Sequence, residues 1–330
     1  MKYIKLHQTD LIISSVALGT ATLGAPGNID SAEEILNTFA GQGGNLLDSA
    51  LIYADWLPGE KGSSEKTIGR WMKKTGNRQN VILSTKGAHP RMESMHVSRL
   101  SAEEIRTDLE TSLLNLQTDY IDIYFLHRDD RNRAVGEIME SLAAHVKAGK
   151  IRYFGLSNWS VPRIKEAIRY CRENNLPEPI VNQVQFAPAQ VNRGNIDPTL
   201  EAMNREAFAY HAQSQMPVFG FSSQAKGYFS KLDRGAELSP GIMAEYENET
   251  NRKIYAKLKE LSEKYESSIE EIVVAVMVSN PSFQTIPILG FSGKEQLLSS
   301  MEGIALELSG QDALEVLLQG IAEGDHIQHL

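Results

Sequence analysis

The chain contains a single cysteine, Cys171. One thiol excludes an internal disulfide framework and any multi-cysteine metal site, and Cys171 reads as an inert thiol on a helix. No apolar run approaches the roughly 20 residues of a membrane span. The opening Met1-Lys2-Tyr3-Ile4-Lys5 lacks the long apolar core of a signal peptide, so a cytoplasmic protein is the default expectation. Positive charge is in short supply: 33 Lys and Arg stand against 42 Asp and Glu, a net charge of −9. Phosphate binding along a nucleic acid needs a basic surface, so no such partner is expected. A small anionic ligand would need local cations and helix N-termini. Low-complexity tracts, linker-like breaks and internal repeats are also missing.

What is present is ordinary for a globular protein, with 42% hydrophobic and 23% charged residues. A length of 330 residues suits two domains or one α/β barrel. The pattern favours the barrel, with residues 1–330 as one domain. Residues 3–5 and 11–13 read as a hairpin. Strand-like runs then recur at 16–20, 45–48, 81–85, 121–126, 151–156, 181–186, 217–221 and 283–288. Between them lie helical patterns. Ser31-Ala32-Glu33-Glu34 and Ser101-Ala102-Glu103-Glu104 each carry a serine followed three residues later by glutamate, a helix-start signature. The first predicts a helix from there to about Gly41. Further helices are expected over 64–74, 135–148, 199–214 and 249–265, with others from near Pro162 and Ser268. The stretch 228–248 reads as a long polar loop, of the kind that often covers a site. Eight strand-helix units predict a (β/α)₈ barrel with C-terminal helical segments. A doubly wound sheet is the alternative, but Gly19-Thr20-Ala21-Thr22-Leu23-Gly24 lacks its G-x-G-x-x-G turn.

In a barrel, chemistry gathers at the C-terminal ends of the strands. Asp48 ends the second run and Tyr53 follows in the loop. Lys86 ends the third and His127 the fourth. A phenol has a reference pKa of about 10, and a nearby ammonium favours its phenolate. The aspartate would hold the lysine charged and oriented. The histidine can bond a substrate oxygen beside the tyrosine. Such a set can protonate an oxygen that becomes an alkoxide, and so reduce a carbonyl. The hydride must come from a cofactor. Each residue alone is compatible with a structural role; their joint placement carries the chemistry. His127 is the only strand-end histidine, which argues against a metal-dependent hydrolase, and no metal is expected.

These residues resemble the aldo-keto reductase superfamily over about 11–300. The resemblance rests on Asn45-Leu46-Leu47-Asp48-Ser49-Ala50 with Tyr53, on Gly62-Ser63-Ser64-Glu65, on Asp119 to His127, and on Gly149-Lys150-Ile151-Arg152 running to Ser157-Asn158. It implies the barrel, a tetrad of Asp48, Tyr53, Lys86 and His127, and a nicotinamide cofactor extended across the rim. Ser157, Asn158 and Gln183 would hold its carboxamide, and Phe221 would stack on its ring. Gly19, Thr20, Asp48, Ser222, Gln224, Lys226, Gly227, Gly290, Ser292, Lys294, Gln296 and Ser300 would complete its site.

The chain departs from the family pattern in places. Ser222-Ser223-Gln224 replaces Ser-Pro-Leu after the stacking position, and Gln296 stands where relatives present an arginine to the 2′-phosphate. Ser299-Ser300 replaces a Glu-Asn pair. Lys294 and Lys226 remain as local cations, so NADPH is the first expectation and NADH the alternative. Trp56, Arg128 and Trp159 are expected to wall the substrate pocket with Tyr53 and His127. The polar Arg128-Asp129-Asp130 suits a hydroxylated, sugar-like carbonyl. The competing reading is a cofactor-sensing accessory protein on the same fold, like the β-subunits of potassium channels. Oligomeric state is not legible.

Overall fold

A computed structural model describes residues 1–25 and 29–321. Its strands are β1 (Tyr3–Lys5), β2 (Ile12–Ser14), β3 (Ala17–Gly19), β4 (Leu46–Asp48), β5 (Ile82–Gly87), β6 (Ile121–Leu126), β7 (Ile151–Ser157), β8 (Asn182–Gln185), β9 (Val218–Phe221) and β10 (Thr285–Leu289). The helices are α1 (Ile29–Gly41), α2 (Ser63–Thr75), α3 (Ala102–Leu116), α4 (Val135–Lys147), α5 (Val161–Glu173), α6 (Arg205–Ser214), α7 (Tyr228–Asp233), α8 (Pro240–Tyr246), α9 (Glu249–Lys264), α10 (Ile269–Val278), α11 (Lys294–Ala305) and α12 (Gly310–Gly320). β3 to β10 close into a parallel barrel in sequence order, with β10 pairing both β9 and β3. β1 and β2 form a separate antiparallel hairpin. The fold is therefore a (β/α)₈ barrel. No helix among the described residues is long and apolar enough to cross a membrane.

Strands buried on both faces favour near-continuous apolar runs, and β6 reads Ile-Asp-Ile-Tyr-Phe-Leu with all six buried; its one charged residue, Asp122, is paired with Arg78 and Arg152. The period of two divides them. Ile123 and Phe125 join an interior cluster with Ala17, Leu46, Phe219, Ile286 and Ile288, while Tyr124 and Leu126 pack outward. Leu6, Leu11 and Ile13 of the hairpin segment belong to the same interior cluster. Gly155 leaves room for this packing, since a Cβ there would stand 2.4 Å from the ring of Phe125. The inward alternation continues past the apolar layer. Leu46 leads to Asp48, Ser84 to Lys86, Phe125 to His127, Gly155 to Ser157 and Phe219 to Phe221. The top of the barrel interior is thereby polar, with the aromatic Phe221 as the exception.

Local signals set the helices. Capping boxes start α3 at Ser101–Glu104 and α10 at Ser268–Glu271. α5 carries Pro162 in its first turn. Three expectations change. α1 starts at Ile29, two residues before Ser31. The helix expected from 199 starts at Arg205, because Asn204 caps it by accepting from the Ala207 N–H, and residue 202 bridges to Gln185 as extended chain. The stretch 228–248 is mostly helical: α7 and α8 bury Tyr228, Phe229, Ile242 and Tyr246 beneath a polar outer face.

Candidate active site

The tetrad positions meet at the barrel's C-terminal rim. The Lys86 ammonium donates to Asp48 Oδ2 at 2.6 Å, to the Ser49 carbonyl at 2.8 Å and to the Tyr53 hydroxyl oxygen at 2.9 Å. An ammonium has three donors, so Lys86 has none left. Asp48 Oδ1 also accepts from Ser84 Oγ at 2.8 Å and from Gln183 Nε2 at 3.0 Å. Asp48 and Lys86 are both buried. Their strands sit in register, Asp48 opposite Ser84, which brings Lys86 one inward step higher. The His127 ring lies edge-on to Tyr53 at 6.0 Å and to His89 at 4.7 Å.

Burial works against charge on Lys86, but Asp48 and Tyr53 outweigh it and hold the ammonium above its ordinary pKa. Tyr53 is half-buried as a residue, with its hydroxyl against the buried Lys86. Burial raises the phenol above its ordinary value; Lys86 pulls it down without prevailing. The expected depression by lysine is thus present but outweighed, and Tyr53 is a protonated phenol at neutral pH. His127 is pushed well down by burial and then by the Arg128 charge, so it is neutral. Its Nδ1 is buried and has no partner among the described residues. An orphaned buried N–H is rarer than an under-used acceptor, which favours the tautomer with hydrogen on Nε2.

A cavity of about 660 Å³ runs from Tyr53, His127 and Arg128 past Gly19, Ser157, Asn158, Gln183 and Phe221. It continues along Ser222, Gln224, Lys226 and Gly227 to Gly290, Ser292 and Gln296. Its size is that of a small-molecule or cofactor site. Phe221 offers a half-buried aromatic face there. Ser222, Ala225 and Lys226 all hold left-handed backbone, with φ of 51°, 49° and 54°. Such strain in non-glycine residues is held only where surrounding structure imposes it, and it clusters at ligand sites.

Other expected residues lie off the cavity. Thr20 is buried and donates to the Asp48 carbonyl. Ser300 is buried and accepts from Gln224 Nε2 at 3.2 Å. Lys294 sits 3.7 Å from Glu34 on α1, in a separate shallow groove. Trp159 is 1% exposed and donates to the Arg128 carbonyl, so it supports the rim from below. Trp56 is exposed and packs its edge 6.2 Å from Tyr53. Of Arg128-Asp129-Asp130, only Arg128 lines the cavity; Asp129 is bonded to Arg163. Asn158 spends its amide on the His127 carbonyl and Ser157 Oγ, and its Oδ1 accepts from the Glu201 N–H.

Sequence reasoning missed Lys231, Arg234 and Glu270, which line the far half of the cavity. Arg234 bonds Glu270 at 2.7 Å. Gly227, Lys231 and Arg234 are four and three residues apart, one face of a helix, a spacing hidden by reading 228–248 as loop. His89 was also missed. Burial, then the Arg128 charge, pushes its pKa down to about 4. Among the described residues no three His, Cys, Asp or Glu side chains are grouped as a metal site would need.

The sequence model of the aldo/keto reductase family matches residues 15–316. The chain belongs to the aldo/keto reductase family. It is similar to an aryl-alcohol dehydrogenase of Pestalotiopsis microspora, 27% identical over 93% of this chain and 77% of that protein. It resembles norsolorinic acid reductase A of Aspergillus parasiticus, 24% identical over 93% and 76%. Protein Tas of Escherichia coli is 25% identical over 96% of both chains. Members of the family are oxidoreductases that act on small carbonyl compounds with nicotinamide cofactors, and this chain is an aldo/keto reductase oxidoreductase. The residues present suit such a cofactor: an aromatic face at Phe221, amide and hydroxyl groups at Gln183 and Ser157, and a strained backbone cradle at 222–227.

Proposed function

We propose that this protein reduces an aldehyde or ketone to the alcohol, with Tyr53 as proton donor. The observation that carries the proposal is the direction of one hydrogen bond. Lys86 has given its donors to Asp48, Ser49 and Tyr53, so the Tyr53 oxygen accepts there and its own hydrogen is free to serve the cavity. A bound nicotinamide cofactor supplies the hydride. Tyr53 gives its proton to the carbonyl oxygen as that oxygen gains charge. Lys86 then stands 2.9 Å from the phenolate that is left and stabilises it. Asp48 fixes the direction of Lys86. His127, neutral and carrying hydrogen on Nε2, donates to the same substrate oxygen and positions it.

NADPH is the preferred cofactor in this reading, with NADH as the alternative. The cations for a 2′-phosphate are those that line the cavity, Lys226, Lys231 and Arg234, rather than Lys294. Gln183, Ser157 and Asn158 border the carboxamide position, and Phe221 supplies the stacking face. The substrate is an aryl carbonyl. Trp56 extends the aromatic surface of Tyr53 outward, and two relatives are named for aryl-alcohol and norsolorinic acid chemistry.

The test is an assay of NADPH and NADH oxidation with aryl aldehydes, alkyl aldehydes and sugars. The proposal expects alcohol formed in equal amount to cofactor consumed, fastest with an aryl aldehyde and NADPH. Tight cofactor binding without turnover on any carbonyl would favour the accessory-protein reading instead.

A further inference from the structure

Lys86 is not the only cation at the chemical end of the cavity. Arg128 follows His127 past the end of β6 and lines the same wall as Tyr53 and His127. It is 9% exposed. Two of its bonds go to the protein: Nε donates to Thr199 Oγ1 at 3.0 Å, and Nη1 donates to the His127 carbonyl at 2.9 Å. These bonds fix the plane of the guanidinium. Among the described residues Nη2 makes no hydrogen bond; its nearest anion is Asp197 Oδ2 at 3.9 Å. That is beyond hydrogen-bond length. Asp197 is itself engaged, since its Oδ1 accepts from the Thr199 N–H and hydroxyl. The adjacent Asp129 is held by Arg163. His89, whose ring lies 4.7 Å from that of His127, is neutral, with its pKa pushed down to about 4.

A buried cation is costly unless an anion and hydrogen bonds compensate it. Lys86 has that compensation in Asp48. Arg128 has two neutral acceptors and one distant carboxylate. A guanidinium cannot shed its proton as a lysine can, and its planar fork matches a carboxylate. We infer that the substrate carries a carboxylate near the carbonyl that is reduced, and that Nη2 of Arg128 binds it. The inference rests on the reductase reading and narrows it to anionic carbonyl compounds. Arg128 then serves as a specificity residue that orients the carbonyl toward Tyr53 and His127. Its contact is present before and during the reaction, so its effect belongs mainly in KM.

The experiment compares 2-, 3- and 4-carboxybenzaldehyde, each with its methyl ester, on the NADPH-loaded protein. At least one acid should exceed its ester in kcat/KM by tenfold or more, mostly through KM, and the advantage should shrink with salt. Arg128→Met should bring that ratio near one, and Arg128→Lys should keep part of it. Asp197→Asn removes the competing carboxylate without touching the arginine, and should raise the ratio. Binding of benzoate against benzamide, followed by tryptophan fluorescence of the loaded protein, gives a readout independent of turnover. Benzoate should bind more tightly, and less so in Arg128→Met. If no acid exceeds its ester, or if the advantage survives Arg128→Met, or if it falls in Asp197→Asn, the inference is wrong. Should Arg128→Met fail to fold, the Asp197→Asn ratio and the benzoate titration decide alone. Absence of turnover on acids and esters alike would overturn the reductase reading, while the benzoate titration would still decide the charge recognition.

Discussion

The two ends of the cavity are built in opposite ways. At the chemical end, Asp48 and Lys86 are buried, rise from adjacent strands, and bond to each other and to Ser49, Tyr53, Ser84 and Gln183. At the far end, Lys226 and Arg234 are half or more exposed and are held by single carboxylates, Glu245 and Glu270. The first arrangement leaves a side chain one place to be. The second leaves it a choice of partners, so an arriving anion can compete. The chemical end is rigid where proton transfer needs fixed geometry. The far end trades fixed geometry for electrostatic capture.

The largest effect expected from this contrast follows Lys86→Met. Turnover should fall by about 10²–10⁴-fold, because the phenol loses the charge that stabilises its conjugate base. Stability should fall as well, by about 3–5 kcal/mol, because Asp48 is left buried without its cation. Steady-state kinetics and urea denaturation check the two losses. A variant of wild-type stability would show that the chemical end is not a mutually dependent set.

Acid should loosen the same end. The pKa of His89 falls from its ordinary 6.5 to about 4 in the fold, with burial the main cause. Between those values the unfolded chain binds the proton more readily. The stability contribution is therefore complete above pH 6.5 and is lost as pH falls toward 4. The loss from His89 is at most roughly 3 kcal/mol. Calorimetry from pH 7 to 4 should show a steeper fall in Tm for wild type than for His89→Gln. Parallel curves would mean that His89 is protonated alike in both states.

Effects at the far end should be smaller. Arg234→Ala should cut the NADPH to NADH affinity ratio about fivefold, as for one part-exposed ion pair of about 1 kcal/mol. The wild-type preference should decline with salt. Lys294→Ala should change the ratio by less than about twofold, because its nearest partner is Glu34 outside the cavity. Cofactor titration of both variants measures this. A larger effect from Lys294 than from Arg234 would reverse the assignment.

The same contrast explains what could be read in advance. Asp48, Lys86 and His127 each lie two residues beyond an inward-facing residue, so strand periodicity alone aims them at the barrel interior. Trp159 also lies two residues beyond an inward one, Ser157, yet it is buried in the outer core. Asn158 intervenes with φ of 61°, and that left-handed turn breaks the alternation. Lys294 was expected at the cofactor site; the chain alone could not show that it stands 3.7 Å from Glu34 on α1, more than 250 residues earlier. Lys231 and Arg234 were missed because a polar surface hid a helix that buries Tyr228 and Phe229. The sign of the Tyr53 shift was beyond sequence altogether, since it depends on how deeply the hydroxyl is buried.

The central claim is that Tyr53 is the proton donor. Single-turnover carbonyl reduction, with cofactor bound in advance and substrate saturating, tests it most directly in wild type and Tyr53→Phe. The substitution removes one oxygen and keeps the ring that packs on Trp56 and His127. The account predicts a rate lower by about 10²–10⁴-fold with cofactor binding retained. Rates within a factor of about three, in a folded and saturated variant, lie well outside that range and would show that another group is the acid.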